Sequence, residues 1–305
     1  MMDKYKTIEW RTEHFPWLLA ILAVVTVASF FGMLQKNPPK LEASLPAHNL
    51  TFQVPNGYIS AKSAIVWDVT ENRAIFEKNA DEPLPLASLT KVMTALTAET
   101  LASPTSELTI GENDVQTEGD SGLRPNTRWT LKSLIDYSLV VSSNDGASAI
   151  AGVIGADKSI FLGKMNSLAQ SIGMTNSRFM NEHGLDKDEQ HVGAYGSARD
   201  MAILFEYVLG NKPGVVEATK YSELRIRNSE GEEYDAENTN IIANQIPSLI
   251  ASKTGFTDLA GGNLVIAYDA GLNRPVIISI LGSTAEGRFQ DVLKLIKATS
   301  DYYDN

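Results

Sequence analysis

Cysteine is absent from the 305 residues, and that single absence excludes disulfides, thiol nucleophiles, thiolate-bound metals and iron–sulfur clusters. Histidine is scarce, with four residues and none paired with an acid at the helical spacing of a zinc motif, so no metal is expected. Basic residues are outnumbered: 26 Lys and Arg face 37 Asp and Glu, for a net charge of −11. With no basic run, such a chain repels phosphate backbones, and nucleic acid is excluded as a partner. What is present is 43% hydrophobic and 21% charged residues, which places the chain among folded rather than disordered proteins.

One stretch lacks charge over the thickness of a membrane. Residues 15–34, Phe15 to Leu34, contain no charged side chain, and about 20 apolar residues span the hydrocarbon. Cleavage after Thr26-Val27-Ala28 would leave Ser29-Phe30-Phe31-Gly32-Met33-Leu34 as a greasy new terminus, so the expectation is an uncleaved transmembrane anchor rather than a signal peptide. Lys4, Lys6 and Arg11 precede the span and only Lys36 and Lys40 follow it closely. That bias puts residues 1–14 in the cytoplasm and the body on the outer face of the cytoplasmic membrane. Asn37-Pro38-Pro39 opens an extended linker over 35–54, and residues 55–305 form the remaining domain.

In that domain, Ser63–Thr70 has the β-rich composition of a strand ending in turn residues. Residues 88–102, 131–141, 145–154, 157–172, 197–209 and 284–303 combine helix formers with apolar residues at three- and four-residue spacing. Ser197-Ala198-Arg199-Asp200 supplies a capping-box start for one of them. Leu264–Tyr268 and Pro275–Leu281 form a hairpin around Asp269–Asn273. A first strand, a helical middle, a late hairpin and a last helix predict an α+β fold, an antiparallel sheet flanked by helices. The segments Thr175–Ser177 and Glu230–Glu237 offer only solvated loops.

Three short patterns occur once each and in order: Ser88-Leu89-Thr90-Lys91, Ser142-Ser143-Asn144 and Lys253-Thr254-Gly255. Together they are the set found in penicillin-binding proteins and serine β-lactamases. Ser88 opens a helix, so Lys91 lies one turn away on the same face. A serine hydroxyl is a weak nucleophile at neutral pH, and the lysine can take its proton only if the amine is itself neutral. Burial and a second cation, which Lys253 could supply, both favour neutrality. Ser142 could relay a proton to the leaving group, and Asn144 could orient Lys91 and the substrate amide. Lys253 and Thr254 suit a free carboxylate, and backbone N–H groups near Ser88 and Phe256 could hold an oxyanion.

On these residues the sequence resembles the serine-type D-alanyl-D-alanine carboxypeptidases, the low-molecular-mass penicillin-binding proteins, from about residue 55 to 300. Asn181-Glu182-His183-Gly184-Leu185-Asp186 is similar to the family's Gly-Leu loop, and Lys253-Thr254-Gly255-Phe256-Thr257 with Ala260-Gly261 to its third motif. The resemblance implies a β-lactamase/transpeptidase-like fold with a helical subdomain. It implies Ser88, Lys91, Ser142 and Asn144 as catalytic residues, and Lys253, Thr254, Gly255, Phe256 and Arg288 as substrate-binding ones. It further implies removal of the terminal D-Ala from peptidoglycan stem peptides through an acyl-serine, inhibition by β-lactam antibiotics, and neither metal nor cofactor. Ser143 departs from the Gly expected at the middle of the second motif.

Other readings compete. Gly119-Asp120-Ser121-Gly122 imitates the nucleophile motif of trypsin-like proteases, but only His14 and His48 precede it, so it reads as a loop bordering the cleft. His183 and His191 read as solvated loop histidines. Glu182 partly imitates the deacylating glutamate of class A β-lactamases. A D,D-endopeptidase, a serine β-lactamase and a membrane-tethered regulatory module without turnover are the alternatives to a carboxypeptidase.

Overall fold

Strand β1 (Ser63–Asp68) enters a sheet and β2 (Arg73–Lys78) turns back along its edge, after which β3 (Leu84–Pro85) leads through one 3-10 turn, Ala87–Leu89, into helix α1 (Thr90–Leu101). The ribbon of β4 (Glu107–Thr109) and β5 (Arg128–Thr130) precedes α2 (Leu131–Val140), α3 (Asn144–Gly155) and α4 (Lys158–Ser171). β6 (Arg178–Phe179) and β7 (Ala194–Gly196) join β3 in a small sheet, and α5 (Ala198–Asn211) follows. A hairpin, β8 (Glu223–Arg227) and β9 (Glu233–Glu237), comes before β10 (Leu249–Thr257), β11 (Gly261–Asp269), β12 (Pro275–Ser283) and α6 (Gly287–Asp304). The structure is a computed structural model and describes residues 52–304 apart from 56, 120 and 156. The expected anchor at 15–34, the segment 1–14 and nearly all of the 35–54 linker lie outside the described residues. Among the described residues no helix is long and apolar enough to cross a membrane.

The main sheet runs β10-β11-β12-β1-β2, antiparallel throughout. Side chains alternate between its faces, and both faces are covered. Leu264, Ile266, Ile278 and Ile280 join Phe289, Val292 and Leu295 of α6 in one core. Their neighbours Val265, Ala267, Ile277 and Leu281 join the core that includes α1 to α5. A strand buried on both faces loses the polar–apolar alternation and reads as a continuous apolar run, and each such side chain stabilises by about 1.5–3 kcal/mol. Helix α1 is buried from Thr90 to Glu99, which seats the nucleophile motif between sheet and helical subdomain.

The predicted cap is present: Ser197 Oγ accepts from Asp200 N at 3.1 Å. Two expected solvated loops need correction. Glu233–Glu237 is a strand whose Tyr234 and Ala236 point inward while Glu233, Asp235 and Glu237 face water. Around 175–177, Asn176 N and Ser177 Oγ both donate to the buried carboxylate of Asp200, at 2.8 and 2.7 Å.

Candidate active site

Ala87, just before Ser88, has φ of +49°, a left-handed conformation that costs a residue with a β-carbon about 1 kcal/mol or more. The turn is held from the sheet. Asn263 on β11, fully buried, donates to Pro85 O at 2.9 Å and Leu86 O at 3.1 Å. On β10, Gly255 passes so close that a β-carbon would stand 2.8 Å from Leu86 O and 3.3 Å from Ser88 N. Glycine is required there by this approach.

Lys91 Nζ lies 2.7 Å from Ser88 Oγ, donates to Asn144 Oδ1 at 2.6 Å, and donates to His183 O at 2.8 Å. The last two partners can only accept, so they consume two N–H bonds. In a neutral amine the remaining tetrahedral position toward Ser88 is a lone pair. Lys91 is 1% exposed, and burial, reinforced by the charge of Lys253, holds its pKa well below the usual lysine range. The geometry therefore equips Lys91 to receive the Ser88 proton.

Ser142 occupies the junction between α2 and α3 with φ of +61°, and Lys253 Nζ donates to its Oγ at 2.9 Å. Lys253 is itself pushed down to about 7, by burial first and by Arg288 second. Asn144 is fixed at both ends, since its Nδ2 donates to Glu118 O at 2.6 Å. Ser143, the departure from Gly, accepts from Gly146 N at 2.9 Å and donates to Ser121 Oγ at 2.7 Å. Ser121 donates in turn to Asp145 Oδ2 at 3.1 Å. The decoy loop thus supports the second motif, and Ser121 is one wall of a cavity of about 490 Å³ lined also by Ser142, Asn144, Asp235 and Glu237.

Thr254 Oγ1 pairs with Thr239 Oγ1 at 2.6 Å, while Phe256 is 50% exposed. Arg288 Nη1 donates to Gly255 O at 2.7 Å, and its buried Nε has no hydrogen-bond partner among the described residues. All nine sequence-predicted site residues thus come together around β10, the start of α1 and the α2–α3 junction. One expectation fails. His183 is not a solvated loop residue: burial drives its ring down to about 4, and its backbone carbonyl is the Lys91 acceptor. His191 is exposed, 2.7 Å from Asp188. Sequence reasoning missed Asn263, Glu118 and Thr239. Of these only Asn263 left a signal, as a polar residue opening an apolar strand.

Fold and site together define the penicillin-binding and transpeptidase class. The chain belongs to the D-alanyl-D-alanine carboxypeptidase family, whose profile matches residues 49–285. It is similar to the D-alanyl-D-alanine carboxypeptidases DacA and DacC of Escherichia coli (strain K12). DacA is 30% identical over 262 residues, which cover 81% of this chain and 63% of that protein. DacC is 29% identical over 260 residues, which cover 81% and 62%. The chain therefore spans less than two thirds of the length of either relative. Among solved structures it is similar to penicillin-binding protein D2 from Listeria monocytogenes in its ampicillin-bound form, with a TM-score of 0.67 and 29% identity, covering 81% of this chain and 99% of that one.

Proposed function

We propose that this protein is a serine D,D-carboxypeptidase that removes the terminal D-Ala from peptidoglycan stem peptides. The observation that carries the reading is the 2.7 Å approach of a buried, pKa-depressed Lys91 to Ser88 Oγ. Ser88 Oγ attacks the carbonyl carbon of the penultimate D-Ala as its proton passes to Lys91. The resulting oxyanion sits between the N–H groups of Ser88 and Phe256. As the tetrahedral adduct collapses, the C–N bond breaks and the departing D-Ala nitrogen takes a proton through Ser142, which Lys253 orients. Lys253, Thr254 and Arg288 receive the free carboxylate, and Asn144 aligns Lys91 with the peptide. Water then hydrolyses the acyl-Ser88 ester. β-Lactams enter the same path but leave a penicilloyl ester that persists.

Glu182 does not serve as a β-lactamase-type base in this reading, because its buried carboxylate is engaged by Lys158 at 2.8 Å. We also propose that residues 15–34 anchor the chain in the cytoplasmic membrane with the catalytic domain on the outer face.

The deciding experiment incubates the protein with a pentapeptide ending in D-Ala-D-Ala and with a labelled penicillin. Stoichiometric labelling and D-Ala release, both lost in Ser88→Ala, are expected. Rapid penicillin destruction that requires Glu182 would make it a β-lactamase. Cleavage of cross-linked dimers without D-Ala release would make it an endopeptidase, and labelling without turnover a regulatory module.

A further inference from the structure

Glu182 is a carboxylate 4% exposed, in the loop that also supplies the Lys91 acceptor, and the mechanism above gives it nothing to do. Two anchors fix this stretch. Its backbone carbonyl accepts from Thr94 Oγ1 of α1 at 2.6 Å, and its side chain meets Lys158 Nζ at 2.8 Å. Lys158, the first residue of α4, also donates to Ser148 Oγ of α3 at 2.5 Å. One ammonium therefore ties α3 and α4 to the loop whose next carbonyl, His183 O, holds Lys91.

The charges around Lys91 come from three elements. Lys253 on β10 opposes its protonation, and the Glu182 carboxylate favours it. His183, the residue beside Glu182, is held neutral by burial; Asp186, further along the loop, accepts from Leu259 N at 3.3 Å. A buried carboxylate whose field reaches a general base is a hazard to the base, because it stabilises the ammonium form. Lys158 is the cation that offsets it, and Asp114 lies behind Ser148 at 3.5 Å.

We propose that Lys158 is a positioning residue of the nucleophile centre. By pairing with Glu182 it keeps the His183 carbonyl on Lys91 and partly offsets a negative charge that favours the protonated form of Lys91. The inference rests on the reading of Lys91 as the base, and it makes the pair a control on when that base is available. Without the Lys158 cation, the Glu182 charge turns to Lys91.

The test titrates Lys91 directly, by the shift of its Cε resonance in ¹³C-labelled protein, and separately follows acylation by labelled penicillin against pH. Lys158→Met should raise the Lys91 titration, and with it the acidic limb of acylation, by about one pH unit. Lys158→Arg should restore both, and adding Glu182→Gln to Lys158→Met should abolish the upward move. A Lys91 titration unmoved in Lys158→Met would overturn the proposal. So would a rate lost equally at every pH and not recovered by arginine, which marks a merely structural contact. If the wild-type chain were never acylated, the carboxypeptidase reading would fall, and the Lys91 titration would still decide this inference.

Discussion

Asn263 and Leu86 are 177 residues apart in sequence, yet Asn263 Nδ2 donates to Leu86 O at 3.1 Å inside the fold. The same side chain reaches Pro85 O, and its Oδ1 accepts from Gly282 N at 2.8 Å. Asn263→Ala would take this partner from Pro85 O and Gly282 N at about 1–3 kcal/mol each, whereas Leu86 O keeps Leu89 N at 3.3 Å. We expect urea unfolding to show a loss of about 2–4 kcal/mol, accompanied by slower penicillin acylation of the protein that remains folded. Unchanged acylation would show that the turn before Ser88 holds its shape alone.

Lys253 ties stability to pH. Its ordinary value is 10.5 and its folded value about 7, so between those limits the unfolded chain binds a proton that the folded one refuses. Stability should therefore rise with pH across that window, by about 1.4 kcal/mol per unit from this group, and level off outside it. Lys91 acts in the same direction. Lys253→Met should remove one proton's share of the slope in urea unfolding at the two ends of the window, and an unaltered slope would contradict the assignment.

Gly184 has φ of +85°, and a β-carbon there would run into Ala87 O. Gly184→Ala should push the loop off the nucleophile turn and withdraw His183 O from Lys91. We expect acylation to fall at least 10²-fold, the size of a lost general base, with far-UV circular dichroism largely kept. Near-normal acylation would mean that the loop is not needed to place Lys91.

For Arg288, whose Nη1 is spent on Gly255 O, the expected signature is discrimination. Arg288→Ala should slow reaction of substrates with a free terminal carboxylate more than reaction of their amides, because a charge-assisted hydrogen bond is lost only with the former. Equal losses on both would restrict the arginine to bracing β10.

The anchor at residues 15–34 is tested on native membranes. The protein should resist a salt wash and begin upstream of Phe15 by terminal sequencing; release by salt, or a terminus near Ser29, would refute it.

The parts of the site legible in the sequence are those encoded locally. Ser88 and Lys91 meet because a helical turn brings the third neighbour back to the same face, and Ser142 to Asn144 stand out at a break between two apolar periodicities. The β11–β12 hairpin showed itself through an unbroken apolar run. Strand β2 did not, because it lies on the sheet edge with Arg73 and Glu77 exposed, where little burial imprints a pattern. Strands β3, β6 and β7 are two or three residues long, too short for any period. β9 carried a true alternation, Tyr234 and Ala236 among three acids, masked by its charge. Contacts such as Asn263 with Leu86, or Lys158 with Glu182, depend on chain crossings that no local pattern reports, and the burial of His183 follows from them.

Ala87 and Ser142 both carry a β-carbon into left-handed backbone, at +49° and +61°. Such torsions persist only because their surroundings over-determine them. Heat resistance and reactivity therefore pull on the same few angles. Selection for a higher melting point alone would drift toward glycine or asparagine at these positions. Asparagine or glycine at position 142 would relieve that strain at the direct expense of the hydroxyl that faces Lys253.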